Sequence, residues 1–290
     1  MTTHRTGRDL VTDATAGRRP TTSYLLCSTP RTGSSLLCDA LRATGVAGVP
    51  EEYFQFRART GEPRRPHEYF EGLNDPEVLE ILGPRTRFEE DDERFDPSRF
   101  ARYEDYLAWA LEQATTPNGV LGAKVMWGYF NGFVTGLRWA LPGRQRLPLA
   151  DLAASVFPNL RYVLVTRRDK VRQAVSLWRA IQSWSWSSDQ RPTGPEPVYS
   201  GAAIDHLVND IHAHEAAWRT YFDECEVVPP TVVYEVFVDD YVGTLRGLLR
   251  YVGVPEADDV AILEPTRRRQ ADSLTDEWVD RYYATVADAV

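Results

Sequence analysis

Short apolar runs alternate along the chain with segments whose apolar residues recur at helical spacing. Residues 24–27 form the first apolar run, and residues 33–42 carry apolar side chains three and four positions apart. Residues 161–166 and 170–181 repeat this pair. An apolar run followed by an amphipathic segment predicts a strand followed by a helix. Strands that alternate with helices predict an α/β domain with a mainly parallel central sheet flanked by helices.

The same pattern extends to the rest of the chain. Residues 100–114, 203–222 and 242–252 are expected to be helices, and residues 120–126 and 231–234 are expected to be strands. Residues 1–22 are rich in Thr, Arg and Gly and are expected to form a flexible tail, which leaves residues 23–290 as a single domain. Residues 183–200 combine Ser, Pro and aromatic side chains, which favours a loop that covers the substrate.

The composition excludes several classes of protein. The 290 residues include 33 Lys and Arg against 42 Asp and Glu, a net charge of −9, which argues against a broad surface for nucleic acid or anionic membrane. The three cysteines are too scattered for a disulfide framework or a zinc site, and the five histidines form no metal-ligand motif. No apolar run approaches a signal segment or the roughly twenty residues of a membrane span. We therefore expect a reduced, cytoplasmic protein without a metal.

The turn after the first predicted strand has the residues of an anion site. A helix that starts near Gly33 directs unpaired backbone N–H groups and the positive end of its dipole at this turn. Arg31 adds charge, and Thr32, Ser34 and Ser35 add hydroxyl donors. The turn lacks the Gly-Lys-Ser/Thr sequence of P-loop NTPases, which weakens an ATP or GTP interpretation. An ordinary turn capped by Ser and Thr is the alternative.

A second group of cations follows the strand at residues 161–166. Arg167, Arg168 and Lys170 lie where open α/β sheets bind their ligands. Ser176 comes eight residues after Arg168, just over two helical turns, so its hydroxyl can face the same anion. This pattern indicates a second phosphate site. Solvated cations at a strand end are the alternative.

These two turns and several later motifs resemble the bacterial trehalose 2-sulfotransferase family. The resemblance runs from Tyr24 to Tyr282, and its motifs are residues 28–37, 41–48, 50–55, 122–127, 173–180, 269–272 and 277–282. It implies a P-loop-NTPase-like sulfotransferase fold and a homodimer. It also implies transfer of a sulfuryl group from 3′-phosphoadenosine 5′-phosphosulfate (PAPS) to a carbohydrate hydroxyl, with 3′-phosphoadenosine 5′-phosphate (PAP) as product. The family's acceptor is trehalose at its 2-position, and a related glycoside is the alternative here.

The resemblance also implies roles for individual residues. The 5′-phosphosulfate would be held by Pro30, Arg31, Thr32, Gly33, Ser34 and Ser35. The 3′-phosphate would be held by Ser176 with Arg167 or Arg168, because Arg168 has the general eight-residue spacing whereas Arg167 aligns with the closer family. Arg269 would be a further donor contact. Glu52 occupies the place of the family's proposed general base.

Three charged residues are candidates for catalysis on chemical grounds. A sugar hydroxyl must lose its proton as it attacks, so a carboxylate such as Glu52 near that hydroxyl is the group required. Lys124 lies in an apolar strand-like segment, where it could neutralise charge on the transferring group or the leaving phosphate, as Arg31 could. The alternatives are that Glu52 caps a loop and that Lys124 reaches solvent.

Five aromatic residues near these motifs are candidates for stacking on the acceptor. They are Tyr53, Phe54, Trp127, Trp184 and Trp186. Burial in the core is the equally weighted alternative. Two rival functions also stay open: a P-loop-type kinase of a small molecule, and a non-catalytic nucleotide-binding protein. The kinase requires a Gly-Lys-Ser/Thr loop and an Asp that holds magnesium at the end of a buried strand, and neither is visible.

Overall fold

Four parallel strands form the central sheet of the computed structural model, which describes residues 19–83, 96–186, 192–255, 257–264 and 273–288. The strands are β1 (Thr22–Ser28), β2 (Val120–Met126), β3 (Leu160–Thr166) and β4 (Thr231–Val233), in the order β2-β1-β3-β4. β1 pairs in parallel with both β2 and β3, and β3 pairs in parallel with β4. The predicted parallel α/β sheet is therefore confirmed.

The helices within the described residues connect and cover these strands. They are α1 (Ser34–Ala43), α2 (Pro76–Leu82), α3 (Tyr103–Ala114), α4 (Trp127–Ala140), α5 (Leu149–Ala154), α6 (Lys170–Ser183), α7 (Gly201–Glu224), α8 (Tyr234–Asp239), α9 (Tyr241–Val252) and α10 (Ser273–Asp288). Short 3₁₀ helices span Pro66–Phe70 and Pro97–Arg99. No helix in the described ranges is both long and apolar enough to cross a membrane.

Both faces of the sheet are buried because helices cover each of them. Leu25 and Cys27 of β1 pack into one cluster with residues of α3, α4 and α7. Tyr24 and Leu26, whose side chains point to the opposite face, pack against α1 and α9. A third cluster joins α6, α7 and α10 around Trp178. The continuous apolar run in β1 is thus explained by burial on both sides.

Helix α4, like the longer α10, is an element that the apolar pattern does not predict. It follows β2 without a turn, and it contains Gly132 and Gly136, which disfavour a helix by intrinsic propensity. Tertiary contacts explain both glycines. A Cβ on Gly132 would lie 1.9 Å from the carbonyl oxygen of Phe56, and one on Gly136 would lie 2.3 Å from the ring of Tyr103. Close packing of the loop and α3 therefore requires the two glycines.

The ends of the helices and strands in the structure differ from the predicted ends by only a few residues. The amino end of β1 is Thr22, the last residue of the predicted tail, and the backbone N–H of Thr21 already donates to the carbonyl of Gly119 at 2.8 Å. Residues 1–18 of that tail lie outside the described residues, so the tail and the single-domain boundary stay predictions.

Candidate active site

The carboxyl ends of β1, β2 and β3 lie side by side. Ser28, the last residue of β1, is in register with Met126 of β2 and Val165 of β3. A functional segment follows each strand at once: residues 29–35 after β1, α4 after β2 and the turn at Arg167 after β3. Open α/β sheets bind ligands at this edge. The fold therefore brings the two predicted anion-binding turns together.

Residues 29–35, which we call the cradle, wrap around the amino end of α1. Gly33 is the N-cap residue with a φ of 80°, and no side chain caps the helix. A Cβ on Gly33 would lie 2.3 Å from a ring carbon of Tyr234, so only glycine fits here. The uncapped helix end and the close backbone approach are both suited to an anion.

A buried glutamine supports the cradle from α6. Gln173 is fully buried, and its side-chain amide donates hydrogen bonds to the hydroxyl of Thr29 at 2.9 Å and to the carbonyl of Pro30 at 2.7 Å. The sequence analysis did not assign Gln173 a function. The available signal was its polarity three residues before Ser176, and therefore on the same face of the helix.

Arg31 connects the two predicted phosphate sites. Its backbone is left-handed, with a φ of 64°, and its Nε donates to the hydroxyl of Ser176 at 2.9 Å. The same guanidinium donates to the backbone carbonyl of Trp186. The eight-residue spacing pairs Ser176 with Arg168, but in the structure the Ser176 hydroxyl faces the cradle through Arg31.

Of the two neighbouring arginines after β3, Arg167 faces the cradle. A terminal N–H group of Arg167 donates to the carbonyl of Arg31 at 3.4 Å, and its guanidinium lies 5.0 Å from the ring centre of Tyr234. Burial lowers the pKa of Arg167, and its Nε has no hydrogen-bond partner within the described structure. Arg168 is exposed, and its backbone N–H donates to the carboxylate of Glu235 at 2.9 Å.

Glu52 and Lys124 form an ion pair at the edge of the cradle. Lys124 Nζ lies 2.6 Å from Glu52 Oε1 and also donates to the hydroxyl of Ser35 at 3.2 Å. The Lys124 side chain is only 3% exposed, whereas that of Glu52 is 21% exposed. The neighbouring Glu51 pairs instead with Arg42 of α1. The structure therefore distinguishes the two adjacent acids: Glu51 contacts Lys124 through its backbone carbonyl, which accepts from the Lys124 N–H at 2.9 Å, whereas Glu52 contacts it through its carboxylate.

Tyr53 and Phe54, both predicted to stack on an acceptor, lie in the core. Their exposed fractions are 2% and 3%. The Tyr53 hydroxyl donates to the carbonyl of Val49 at 2.9 Å, and the ring of Phe54 packs 5.0 Å from that of Phe133. Neither ring presents an exposed face. Both residues therefore belong to the core, which was the alternative interpretation, and we do not propose them as acceptor residues.

The three candidate tryptophans lie closer to the surface. Trp127 is half-buried at the start of α4 and stacks on Phe130 at 4.8 Å. Trp184 is half-buried at the end of α6 in a left-handed conformation. Trp186 is half-buried and stacks on Tyr69 at 5.9 Å, while its carbonyl accepts from the cradle. Trp186 is therefore the tryptophan with a direct hydrogen bond to Arg31.

Two of the predicted features fall partly or wholly outside the described residues. Arg269 lies in the segment 265–272 and residues 187–191 lie within the predicted covering loop, so neither is described. The described end of that loop is attached to α6, because Gly194 N–H donates to the carbonyl of Ser183 at 2.9 Å. Among the residues that the structure describes, no three His, Cys, Asp or Glu side chains form a group that could hold a metal.

The assembled site combines cations with one accessible acid. Arg31, Arg167 and Lys124 come from the three adjacent strand ends, and Glu52 pairs with Lys124 at the edge. The cations and the helix end can bind a small polyanion, and a carboxylate beside it can accept a proton from a hydroxyl. This arrangement explains how a chain with a net charge of −9 has an anion site.

Comparison with known proteins identifies the class of enzyme. The sequence model of a family described as Stf0 sulphotransferase matches residues 23–285. The chain belongs to this family, and it is a sulfotransferase. The resemblance, the fold class and the enzyme class predicted from the sequence are confirmed, and the kinase alternative is not supported.

Two curated relatives are similar over nearly their whole length, and both are named trehalose 2-sulfotransferase. The protein from Mycobacterium tuberculosis is 35% identical over 266 residues, which cover 90% of this chain and 94% of the relative. The protein from Mycolicibacterium smegmatis is 36% identical over 272 residues, with the same coverage. A solved structure of a sulfotransferase from Alicyclobacillus acidocaldarius aligns with a TM-score of 0.44 and 12% identity over 92% of each chain.

Proposed function

We propose that this enzyme transfers a sulfuryl group from PAPS to a hydroxyl of a carbohydrate, with the 2-position of trehalose as acceptor or a related glycoside in its place. The names of two relatives at 35% and 36% identity support trehalose. The observation that carries the mechanism is the Glu52 carboxylate, which lies 2.6 Å from Lys124 at the edge of an anion cradle. A non-catalytic nucleotide-binding protein would need no acid at this place.

The cradle and the turn after β3 would hold the two ends of the donor. Residues 30–35 offer backbone N–H groups and hydroxyls to the 5′-phosphosulfate. Ser176 and Arg167 would hold the 3′-phosphate, and Arg31 lies between the two positions because it already contacts both residues. Arg167 is favoured over Arg168 because its buried Nε lacks a hydrogen-bond partner within the described structure; Glu235 Oε1 lies 3.9 Å away, beyond hydrogen-bond distance, so this N–H keeps its capacity for an anion.

Glu52 would act as the general base in an in-line displacement. It would accept the proton of the acceptor hydroxyl while the new bond forms between that oxygen and sulfur. The bond between sulfur and the bridging phosphate oxygen breaks, and PAP leaves with the electron pair. Lys124 lies at the cradle and would neutralise the charge that develops on the leaving phosphate, and Arg31 would do so from the opposite side. Side-chain cations supply this stabilisation, so the proposal includes no metal.

A pair of matched variants tests the role of Glu52. Glu52→Gln is expected to lower the transfer of labelled sulfate to trehalose by about 100-fold to 10,000-fold, since a general base contributes this much. PAP affinity measured by calorimetry should stay unchanged. Glu51→Gln is the control, because Glu51 pairs with Arg42 and not with Lys124. Full turnover in Glu52→Gln would remove Glu52 as the base, and tighter binding of ATP than of PAP would refute the proposed donor.

Several properties of the whole protein are also part of the proposal. A homodimer is expected from the resemblance, and light scattering would test it. A cytoplasmic location is expected because Cys27, Cys38 and Cys225 are all free in the structure. Trp127, Trp184 and Trp186 are proposed to border the acceptor, since sugar rings stack on exposed indole faces.

A further inference from the structure

A polar cluster lies beside the proposed base, around the hydroxyl of Tyr129. This hydroxyl accepts a hydrogen bond from the backbone N–H of Arg64 at 3.0 Å and shares hydrogen bonds with the side chains of Gln55 and Tyr69. Burial raises the pKa of Tyr129, and the nearby negative charge of Glu52 adds to this effect. Gln55 is also tied to Glu52, because its backbone N–H donates to the Glu52 carbonyl at 3.2 Å, so the Tyr129 hydroxyl connects the loop that carries Arg64 with the segment that carries Glu52.

The Arg64 guanidinium occupies a restricted space within this cluster. It lies 4.7 Å from the ring centre of Tyr69, and NH1 is 3.8 Å from Asp210 Oδ2 of α7. A Cβ on Gly128 would lie 3.0 Å from NH1, so the start of α4 leaves just enough room. The side chain is only 12% exposed, and its Nε is buried without a hydrogen-bond partner in the described part of the chain.

This geometry is unfavourable for an arginine whose only role is structural. A buried N–H group without a partner loses its hydration and gains nothing in return. The distance of 3.8 Å to Asp210 is longer than a direct hydrogen bond, so guanidinium and carboxylate each keep capacity for another oxygen. A sugar hydroxyl meets both needs, because its oxygen accepts from the guanidinium while its proton is donated to the carboxylate.

The position of Tyr69 connects Arg64 with the donor side of the site. Tyr69 lies under the Arg64 guanidinium and stacks on Trp186, whose carbonyl accepts a hydrogen bond from Arg31 of the cradle. The cradle is therefore continued by a wall of side chains, formed by Trp186, Tyr69 and Arg64, which passes near Glu52. An acceptor that presents one hydroxyl to Glu52 would have its other hydroxyls near this wall.

We propose that Arg64, together with Asp210, binds hydroxyl groups of the carbohydrate acceptor and determines the affinity for it. The inference rests on the proposed function and adds the residues that recognise the acceptor. It involves no covalent step. Arg64 would affect acceptor binding, whereas donor binding depends on the cradle, Arg167 and Ser176.

Steady-state kinetics with trehalose and calorimetry with PAP provide the test. Arg64→Met should raise the KM for trehalose by about tenfold or more, the effect of losing a hydrogen bond to a charged group. The affinity for PAP should change less than about twofold, because no donor contact is removed. Arg59→Met is the matched control, since Arg59 lies in the same loop with its side chain 69% exposed. It should leave both quantities unchanged.

Two further variants keep the test valid if Arg64→Met does not fold. Arg64→Lys keeps the charge but loses the planar fork, and Gly128→Ala crowds NH1 without removing any polar group. Both should raise the KM for trehalose more than they change kcat. An unchanged KM in these variants, with wild-type transfer to trehalose intact, would overturn the role of Arg64 and leave the proposed function standing. Absence of transfer by the wild-type enzyme would overturn the proposed acceptor and this inference with it.

Discussion

The contact between Gln173 and the cradle leads to a quantitative prediction for Gln173→Leu. Leucine has nearly the same volume as glutamine but cannot donate to the Thr29 hydroxyl or to the Pro30 carbonyl, which Gln173 contacts at 2.9 and 2.7 Å. Gln173 is fully buried and Thr29 is 1% exposed, so water cannot replace these bonds without a local rearrangement. The substitution therefore loosens the cradle while the apolar packing of α6 stays intact.

The expected magnitude follows from the groups that lose their partner. A buried polar group left unsatisfied costs about 1 to 3 kcal/mol, and here two acceptors lose a donor. The side-chain oxygen of Gln173 is itself buried without a partner, so its removal offsets part of this cost. We expect a loss of about 2 kcal/mol in the free energy of unfolding, which corresponds to a fall in Tm of several degrees. A looser cradle should also weaken PAP binding by about tenfold, or about 1.4 kcal/mol.

A second buried glutamine on the same helix provides the control. Gln182 exchanges hydrogen bonds with the backbone of Val198 at 3.0 and 2.8 Å, in the segment after α6 rather than in the cradle. Thermal unfolding and calorimetry with PAP should show that Gln173→Leu and Gln182→Leu both lower Tm, and that only Gln173→Leu weakens PAP binding. Equal PAP affinity in the two variants would refute the reasoning that Gln173 holds the donor site in shape.

Three further substitutions test other parts of the site. Ser176→Ala should weaken PAP binding by about 1 to 3 kcal/mol and leave adenosine 5′-phosphate binding unchanged, because only PAP has the 3′-phosphate. Gly33→Ala should lower both Tm and PAP affinity, since the new Cβ would lie 2.3 Å from Tyr234. Gly45→Ala has the same left-handed backbone with no atom within 4 Å and should retain PAP affinity. Glu215→Gln should cost about 3 to 5 kcal/mol of stability, because Glu215 is buried and the substitution leaves Lys170, whose side chain is only 15% exposed, without its acid.

Each of these three predictions has an outcome that contradicts it. Equal losses of PAP and adenosine 5′-phosphate affinity in Ser176→Ala would place the 3′-phosphate elsewhere. Similar effects of the two glycine substitutions would mean that backbone strain, and not contact with Tyr234, limits residue 33. For Glu215→Gln the control is Asp258→Asn, whose ion pair with Arg250 is more than half exposed and should contribute little. Equal changes in Tm would contradict the buried-pair argument.

The arrangement of Arg31 supports the proposal that the two predicted phosphate sites form one donor site. Arg31 has a left-handed backbone, which directs its carbonyl to Arg167 while its side chain reaches Ser176. A single residue therefore touches both members of the proposed 3′-phosphate site from within the cradle.

The local sequence was sufficient to predict the strands and helices that surround the proposed donor site. The strand, turn and helix at residues 22–43, and the similar unit at residues 160–183, were predicted within three residues at each end. Apolar periodicity depends on which faces are buried, and turn chemistry depends on neighbours in the chain, so both can be read without a structure. The prediction of an anion site next to Gly33 has the same local origin.

Residues whose function depends on distant segments could not be assigned in this way. Spacing favoured Arg168 and the family resemblance favoured Arg167, so both stayed open; in the structure the chain turns after β3 so that Arg167 packs on Tyr234. The sequence spacing likewise does not reveal that Gln173 supports Thr29, 144 positions away, or that Tyr53 is a core residue. The direction of a side chain at a strand end depends on what the rest of the fold packs against it. Periodicity therefore located the proposed donor site along the chain, whereas long-range packing decided which of its side chains face the cradle.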